Sequence, residues 1–350
     1  MKLITLNTHS LEEADYPEKL RMFVEEVLRE MPDVIALQEV NQNRTAAPVE
    51  AERLEESGFV GCREVAGRGA PDCESVGCGA GAPGCESVGC GAGAPGCESV
   101  GCGAGAPGRE SAEGGAPGLN IPVRGDNHAY QLGQFLRSEG VSYFWTWVPA
   151  KIGYGRYDEG TALFCRFPIC GAEWFYSTEA RDYENWKTRK VLGICAEIEG
   201  KPRRFYSVHM GWWGDGTEPF LRQWERMKEY MAPYAGEECW LMGDFNAPAH
   251  VKGEGYELVK ESGWFDTYDL ARERDEGITV SGCIDGWRDG APENGMRIDY
   301  IWVNRTVSVG RSQVIFNGRR GPVVSDHFGV MVECDPAGTG GGAQEGEQER

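Results

Sequence analysis

Trp240-Leu241-Met242-Gly243-Asp244-Phe245-Asn246 is an apolar run that stops on a glycine, a carboxylate and a carboxamide. An apolar run of this length bounded by a turn residue reads as a buried strand, and functional groups collect where such strands end. Asp244 and Asn246 stand two apart, so their side chains can point the same way if the backbone stays extended. One offers a base or metal ligand, the other a neutral donor and acceptor. An Asp and an Asn at a strand end are also common turn formers, so the choice between the two readings rests on the rest of the chain.

The rest of the chain repeats the pattern. Asn7 closes Leu3-Ile4-Thr5-Leu6, Glu39 closes Val34-Ile35-Ala36-Leu37-Gln38, His209 closes Phe205-Tyr206-Ser207-Val208, and Asp326-His327 closes Pro322-Val323-Val324-Ser325. Asp299, in Arg297-Ile298-Asp299-Tyr300, opens a further strand-like run. Six strand ends carrying Asn, Asp, Glu or His are more than turn chemistry requires, and the functional reading is preferred.

These motifs, in this order, resemble the endonuclease/exonuclease/phosphatase superfamily, which includes deoxyribonuclease I, abasic-site endonucleases, inositol polyphosphate phosphatases and neutral sphingomyelinases. The matching stretches are Thr5-Leu6-Asn7, Leu37-Gln38-Glu39-Val40, Ser207-Val208-His209, Gly243-Asp244-Phe245-Asn246, Arg297-Ile298-Asp299-Tyr300-Ile301 and Ser325-Asp326-His327. Gly160 to Pro168 resembles the superfamily's central strand motif, with Cys165 where serine is common. The resemblance implies an α+β fold, a four-layer α/β/β/α sandwich in which two mixed β-sheets pack face to face with helices outside. Periodicity alone implies only mixed α and β.

Phosphoester hydrolysis needs neutralised phosphoryl oxygens, an activated water in line with the leaving oxygen, and a stabilised leaving group. Glu39 is the expected Mg2+ ligand with Asn7 beside it, since carboxylate and carbonyl oxygens suit a hard cation; Mn2+ is a possible substitute. Asp244 is expected to orient and deprotonate the water, Asn246 to hold a phosphoryl oxygen and His209 to donate to the phosphoryl oxygens. Asp299 and His327 read as a pair in which the carboxylate sets the imidazole tautomer. The resemblance places that pair on the scissile phosphate and Asp326 near the metal or the water. Asp244, Asp326 and His327 all remain candidates for the base. A basic residue before the strand Val191 to Ile198 contacts the phosphate in relatives; Arg189 is the first choice here and Lys190 the second.

Composition bears on the substrate. The net charge is −20; the segment Ala66 to Gly118 and the tail from Asp335 account for seven of these negative charges, leaving about −13 for the remainder. A surface for duplex nucleic acid normally shows a basic excess, so nucleic acid is not the expected partner. A sphingomyelinase would need secretion or a membrane-engaging segment; Trp212-Trp213 could insert into lipid, but the first ten residues do not read as a secretory signal and no run approaches the roughly 18 apolar residues of a span. Seven of the 13 cysteines lie outside the repeat described next, mostly in strand-like runs such as those of Cys165, Cys195 and Cys239. Scattered buried thiols suit a reducing cytoplasm.

The remaining expectation is a phosphatase for a small phosphorylated sugar. Asp126 to Leu132, Tyr157 to Ala162, Asp182 to Lys190 and His209 to Trp213 are similar to a bacterial branch of the superfamily that includes maltose 6'-phosphate phosphatase. Trp186, Trp212 and Trp213 fall in loops beside the expected site, where flat aromatic faces can pack on sugar rings.

The chain reads as one domain, residues 1–334. Residues 66–118 interrupt it with three identical copies of Cys-Glu-Ser-Val-Gly-Cys-Gly-Ala-Gly-Ala-Pro-Gly and a decayed fourth. Their composition, like that of the acidic tail 335–350, holds too few large apolar groups to offset chain entropy, so disorder is expected in both. Helices are expected from Pro17 to Met31, Asn127 to Glu139 and Thr217 to Tyr234. Lys151 to Gly160 reads as a loop and Val323 to Val332 as the last strand.

Overall fold

Neighbouring residues of Trp240-Leu241-Met242 face opposite cores. Trp240 and Met242 pack with Leu3, Ala36 and Ile301, while Leu241 packs with Trp224 and Trp302. The same split divides Val34 and Ala36 from Ile35 and Leu37. A strand buried on both faces has no polar alternation, which is why these runs are continuously apolar.

The computed structural model describes residues 1–65, 115–116, 121–282, 284, 287 and 294–335. Among these, two seven-stranded sheets form the centre. In spatial order the first runs Ala271–Arg274, Val309–Ile315, Gly329–Cys334, Lys2–Asn7, Val34–Asn43, Tyr157–Cys165, Phe144–Gly153. The second runs Phe265–Asp266, Asp299–Val303, Glu238–Asp244, Lys201–His209, Lys190–Ile198, Ile169–Tyr176, Arg63–Glu64. One core lies between the sheets. A second lies under the helices Tyr16–Glu30 and His128–Ser138, and a third under Phe220–Met231 and Gly255–Glu261. This is the four-layer sandwich that the resemblance implied.

Both sheets are mixed. Lys2–Asn7 runs parallel to Val34–Asn43, and Lys201–His209 runs parallel to Glu238–Asp244; the other long pairings are antiparallel. The ends of the parallel pairs carry the polar residues read from the sequence.

The helices begin and end for local reasons. Leu20, Phe23, Val24 and Val27 form the buried stripe of Tyr16–Glu30, with Pro17 in its first turn. Asn127 caps His128–Ser138 by accepting from the Tyr130 N–H at 3.1 Å. The expected helix over Thr217–Tyr234 is shorter, Phe220–Met231 followed by the 3-10 turn Ala232–Tyr234, because Pro219 and Pro233 bound it.

Three segments differ from expectation. The second strand is not closed by Glu39 but continues to Asn43 through a bulge at Gln38–Glu39. Lys151 to Gly160 is a tight hairpin, not a loop: Gly153 pairs with Tyr157 across Tyr154, Gly155 and Arg156, the first two at positive φ and the Arg156 N–H donating to the Gly153 carbonyl at 3.1 Å. The last strand starts only at Gly329, leaving Asp326 and His327 in irregular chain. Apart from 115–116, the repeat segment 66–118 lies outside the described residues, as does the tail beyond Asp335. Among the described residues no helix is long and apolar enough to cross a membrane.

Candidate active site

Register sets the first row of the site. His209 pairs with Asp244, and Asp244 with Asp299, so three polar side chains stand side by side across three strands of the second sheet. The close approach depends on Gly243: at φ 148° its position would put a Cβ 1.9 Å from the Val208 carbonyl oxygen. The chain then leaves the strand at Asn246, which sits at φ 47°, a left-handed conformation that Asn tolerates better than most residues.

The first sheet supplies Asn7 and Glu39. Glu39 sits in the bulge at φ 51°, and the bulge re-aims its side chain. Beneath the site the two sheets are joined by polar contacts: Gln38 Nε2 donates to Ser207 Oγ at 2.9 Å, and Thr161 also meets Ser207. Ser325 Oγ donates to the Asn7 carbonyl at 2.7 Å, which ties the loop of Asp326 and His327 to the end of the first strand.

One atom is the focus. Asp244 Oδ2 lies 3.3 Å from Asn7 Nδ2, 3.4 Å from Asn246 Nδ2, 3.6 Å from His209 Nε2 and 3.9 Å from His327 Nε2. Its partner oxygen Oδ1 accepts the Asn246 N–H at 2.8 Å. Burial first, and then Asp299, raise the Asp244 carboxyl above the usual range. His327 Nδ1 lies 3.0 Å from Asp299 Oδ2, which turns Nε2 toward Asp244. Burial opposes the charge on His327, but Asp299, Asp244 and Asp326 together outweigh it and the net direction is upward. His209 goes the other way, well below its ordinary value, because it is buried and Arg189 and Lys151 lie nearby.

Two amides behave differently from expectation. Asn7 turns its nitrogen, not its oxygen, to the carboxylates: Nδ2 donates to Glu39 Oε1 at 3.0 Å and Oδ1 accepts the His9 N–H. In this geometry the Asn7 nitrogen holds both Glu39 and Asp244. Asn246 Nδ2 donates to the Met210 carbonyl at 3.0 Å, and Oδ1 accepts from Trp287 Nε1 at 3.0 Å. Since an indole only donates and a carbonyl only accepts, the amide orientation is fixed.

These groups open into a cavity of about 290 Å³ lined by Glu39, Lys151, Ile152, Gly153, Tyr154, Glu159, Trp186, Arg189, His209, Trp212, Asp244, Asn246, Asp326 and His327. Arg189 is 4% exposed and donates Nη1 to the Trp186 carbonyl, while its Nε has no hydrogen-bond partner. Trp186 and Trp212 lie with ring centroids 5.9 Å apart.

Two expected substrate residues lie elsewhere. Lys190 alternates with Arg189 along the strand and points into the core between the sheets, its Nζ 3.9 Å from the Trp174 ring centroid. Burial pulls its pKa down to about 8. Trp213 packs against Phe220 in the outer core and does not line the cavity.

Sequence reading missed Lys151, Tyr154 and Glu159, because the segment read as a loop when it is the hairpin that borders the cavity. Trp287 was missed as well, having no local motif. His9 holds Glu13 through Nδ1 at 2.8 Å, and Glu13 accepts the Asp326 N–H at 3.1 Å.

Glu39 is raised first by burial and then by Glu159 and Asp326, with Lys151 acting the other way. Converging carboxylate oxygens that repel one another fit a hard divalent cation. His9, Glu13 and Asp326 bring ligand atoms within 4.8 Å of one another, as do Asp244, Asp299 and His327.

The profile of the Endonuclease/Exonuclease/phosphatase family matches residues 4–327. The chain belongs to that family. It is a phosphoesterase of the superfamily, whose members are phosphatases and nucleases and generally depend on a divalent metal. No curated protein sequence matches it. Among solved structures it is similar to an endonuclease/exonuclease/phosphatase family protein from Leptotrichia buccalis, at 26% identity and TM-score 0.69, over 96% of this chain and 100% of that one. A mannosyl-6-phosphatase from Bacteroides thetaiotaomicron shares the fold at 15% identity and TM-score 0.53, over 96% and 100%. So does D. rerio TDP2 complexed with single-strand DNA product, at 14% and 0.51, over 96% and 99%.

Proposed function

We propose that this family member is a Mg2+-dependent phosphomonoesterase acting on a small phosphorylated sugar such as maltose 6'-phosphate. The observation that carries this reading is the shape and lining of the cavity. At about 290 Å³ it is at the lower end of small-molecule sites, with acids and histidines, buried cations and two indole rings around one space. The acidic composition weighs against an extended nucleic-acid surface. That one fold neighbour is a mannosyl-6-phosphatase agrees with a sugar phosphate.

Glu39 and Asp326 would hold the cation, Mg2+ or Mn2+ in its place, which would neutralise charge on the phosphoryl oxygens. Asn7 orients Glu39. Asp244, with its raised pKa and central position, takes the proton of the attacking water. His327, held by Asp299, offers its Nε2 to the scissile phosphate, and the neutral His209 donates to a phosphoryl oxygen. Asn246 reaches a phosphoryl oxygen by exchanging its weaker 3.4 Å contact to Asp244. Arg189 binds the phosphate, and Trp186 and Trp212 flank the sugar. We place the enzyme in the cytoplasm, in keeping with the six free cysteines among the described residues. Residues 66–118 and 335–350 are additions to the catalytic domain.

The test is phosphate release from a panel of sugar phosphates, maltose 6'-phosphate included, with Mg2+ and with chelator, and with Asp244→Asn as the blank. Mg2+-dependent release that Asp244→Asn lacks is the expected outcome. No release from any sugar, with cleavage of oligonucleotides or sphingomyelin instead, would overturn the proposal.

A further inference from the structure

The hairpin over the cavity carries a charge pair that the reaction scheme above leaves unused. Lys151 is 8% exposed, and its Nζ lies 2.9 Å from Glu159 Oε1. The two residues sit directly opposite each other in the ladder, after a register shift between Pro149 and Lys151. Glu159 is held on its other side by Gly153, where a Cβ would stand 2.2 Å from Glu159 Oε2. Lys151, Glu159 and Gly153 all line the cavity with Arg189. Arg189 is close enough to Lys151 to disfavour its charge, second only to burial in doing so.

A buried ion pair far from any ligand is a poor stabiliser, since desolvation offsets the attraction. This pair is not far from a ligand site. Its ammonium has three donors, of which the bond to Glu159 takes one. Beside it, the guanidinium of Arg189 keeps a buried Nε without a partner. Two cations fixed by their own supports thus face one small space.

The difference between phosphate substrates is charge and oxygen count. A terminal phosphate presents three strong acceptor oxygens and a charge of about −1.5 to −2 at pH 7. A diester has one charge and two such oxygens. A site that carries an additional cation for the third oxygen therefore favours the monoester.

We infer that Lys151, held in place by Glu159, binds the third oxygen of a terminal phosphate beside Arg189 and so selects phosphomonoesters over phosphodiesters. The inference rests on the phosphomonoesterase reading above and names the residue that sets its specificity.

The experiment compares p-nitrophenyl phosphate with bis(p-nitrophenyl) phosphate, which share a leaving group, on the full chain with Mg2+. Variants are Lys151→Met, Lys151→Arg and the double variant Lys151→Met with Glu159→Gln, which leaves no buried carboxylate unpaired. The readout is the ratio of monoester to diester kcat/KM within one preparation, so an unfolded fraction lowers both and cancels. Lys151→Met and the double variant should lower that ratio roughly 10- to 100-fold, the span of one charged hydrogen bond to one transition-state donor. Inhibition by inorganic phosphate should weaken in step, and Lys151→Arg should recover part of the ratio. An unchanged ratio in both neutral variants would overturn the role of Lys151 while leaving the phosphomonoesterase standing. A wild-type chain that cleaves only the diester would overturn both.

Discussion

At the scale of single residues, the site depends on groups that hold other groups. Trp287 touches the chemistry only through Asn246, whose amide it fixes by one hydrogen bond. Trp287→Phe keeps a ring but loses the donor. We expect kcat to fall by about tenfold, the worth of one neutral hydrogen bond, with KM changed far less; an equal change in both would place Trp287 on the substrate itself. Lys190 makes a different prediction. Its folded pKa of about 8 lies below the ordinary lysine value of 10.5, so the fold disfavours its charge. Stability is therefore highest above the unfolded pKa, falls as pH drops from 10.5 toward 8, and stays lowered below that. Lys190→Met should flatten this window in urea melts from pH 7 to 10.5 and stabilise the protein at pH 7 by on the order of 3 kcal/mol. Its kcat/KM should be unchanged, since Lys190 lies in the core between the sheets.

At the scale of elements, irregularities place the functional groups. The bulge aims Glu39, and the left-handed Asn246 turns the chain away from its strand. Gly243 shows how little room this leaves. Gly243→Ala would set a Cβ against the Val208 carbonyl in a backbone conformation that alanine resists. We expect a loss of about 3 kcal/mol in urea unfolding, and an alanine variant as stable as wild type would contradict the assigned geometry. These irregularities also explain where sequence reading stopped. Asn7, His209 and Asp244 end continuous apolar runs, and the abrupt polar residue at the end of each run reveals them. Lys151 and Glu159 lie on strands interrupted by Pro149 and a register shift, so their segment read as a loop.

At the scale of the whole molecule, the described residues belong to a unit spanning Met1–Arg68 and Gly114–Arg350. The composition of residues 66–118 predicts a flexible connection, and closing such a connection costs little more when it is long than when it is short. Joining Arg68 to Gly114 by a short Gly-Ser linker should therefore leave the melting temperature and phosphate release unchanged; loss of either would give the repeat a part in the fold. Mg2+ should raise the melting temperature, because ligand bound only by the folded state stabilises it, and chelator should abolish this rise together with activity. By itself the sequence determined the apolar runs, the polar residues at their ends and, through the order of the motifs, the family and its two-sheet fold. The runs and their polar ends are properties of local periodicity, which each segment carries alone, whereas the family and its fold follow only from the resemblance of the whole ordered set of motifs. Only the tertiary structure decided which side chains meet. Lys190 and Arg189 are adjacent in the chain, yet alternation sends one between Trp174 and Tyr176 and the other to the cavity wall. Trp287, 41 residues from Asn246, becomes its hydrogen-bond donor because loops from distant elements converge where the strands end, and no local pattern records that convergence.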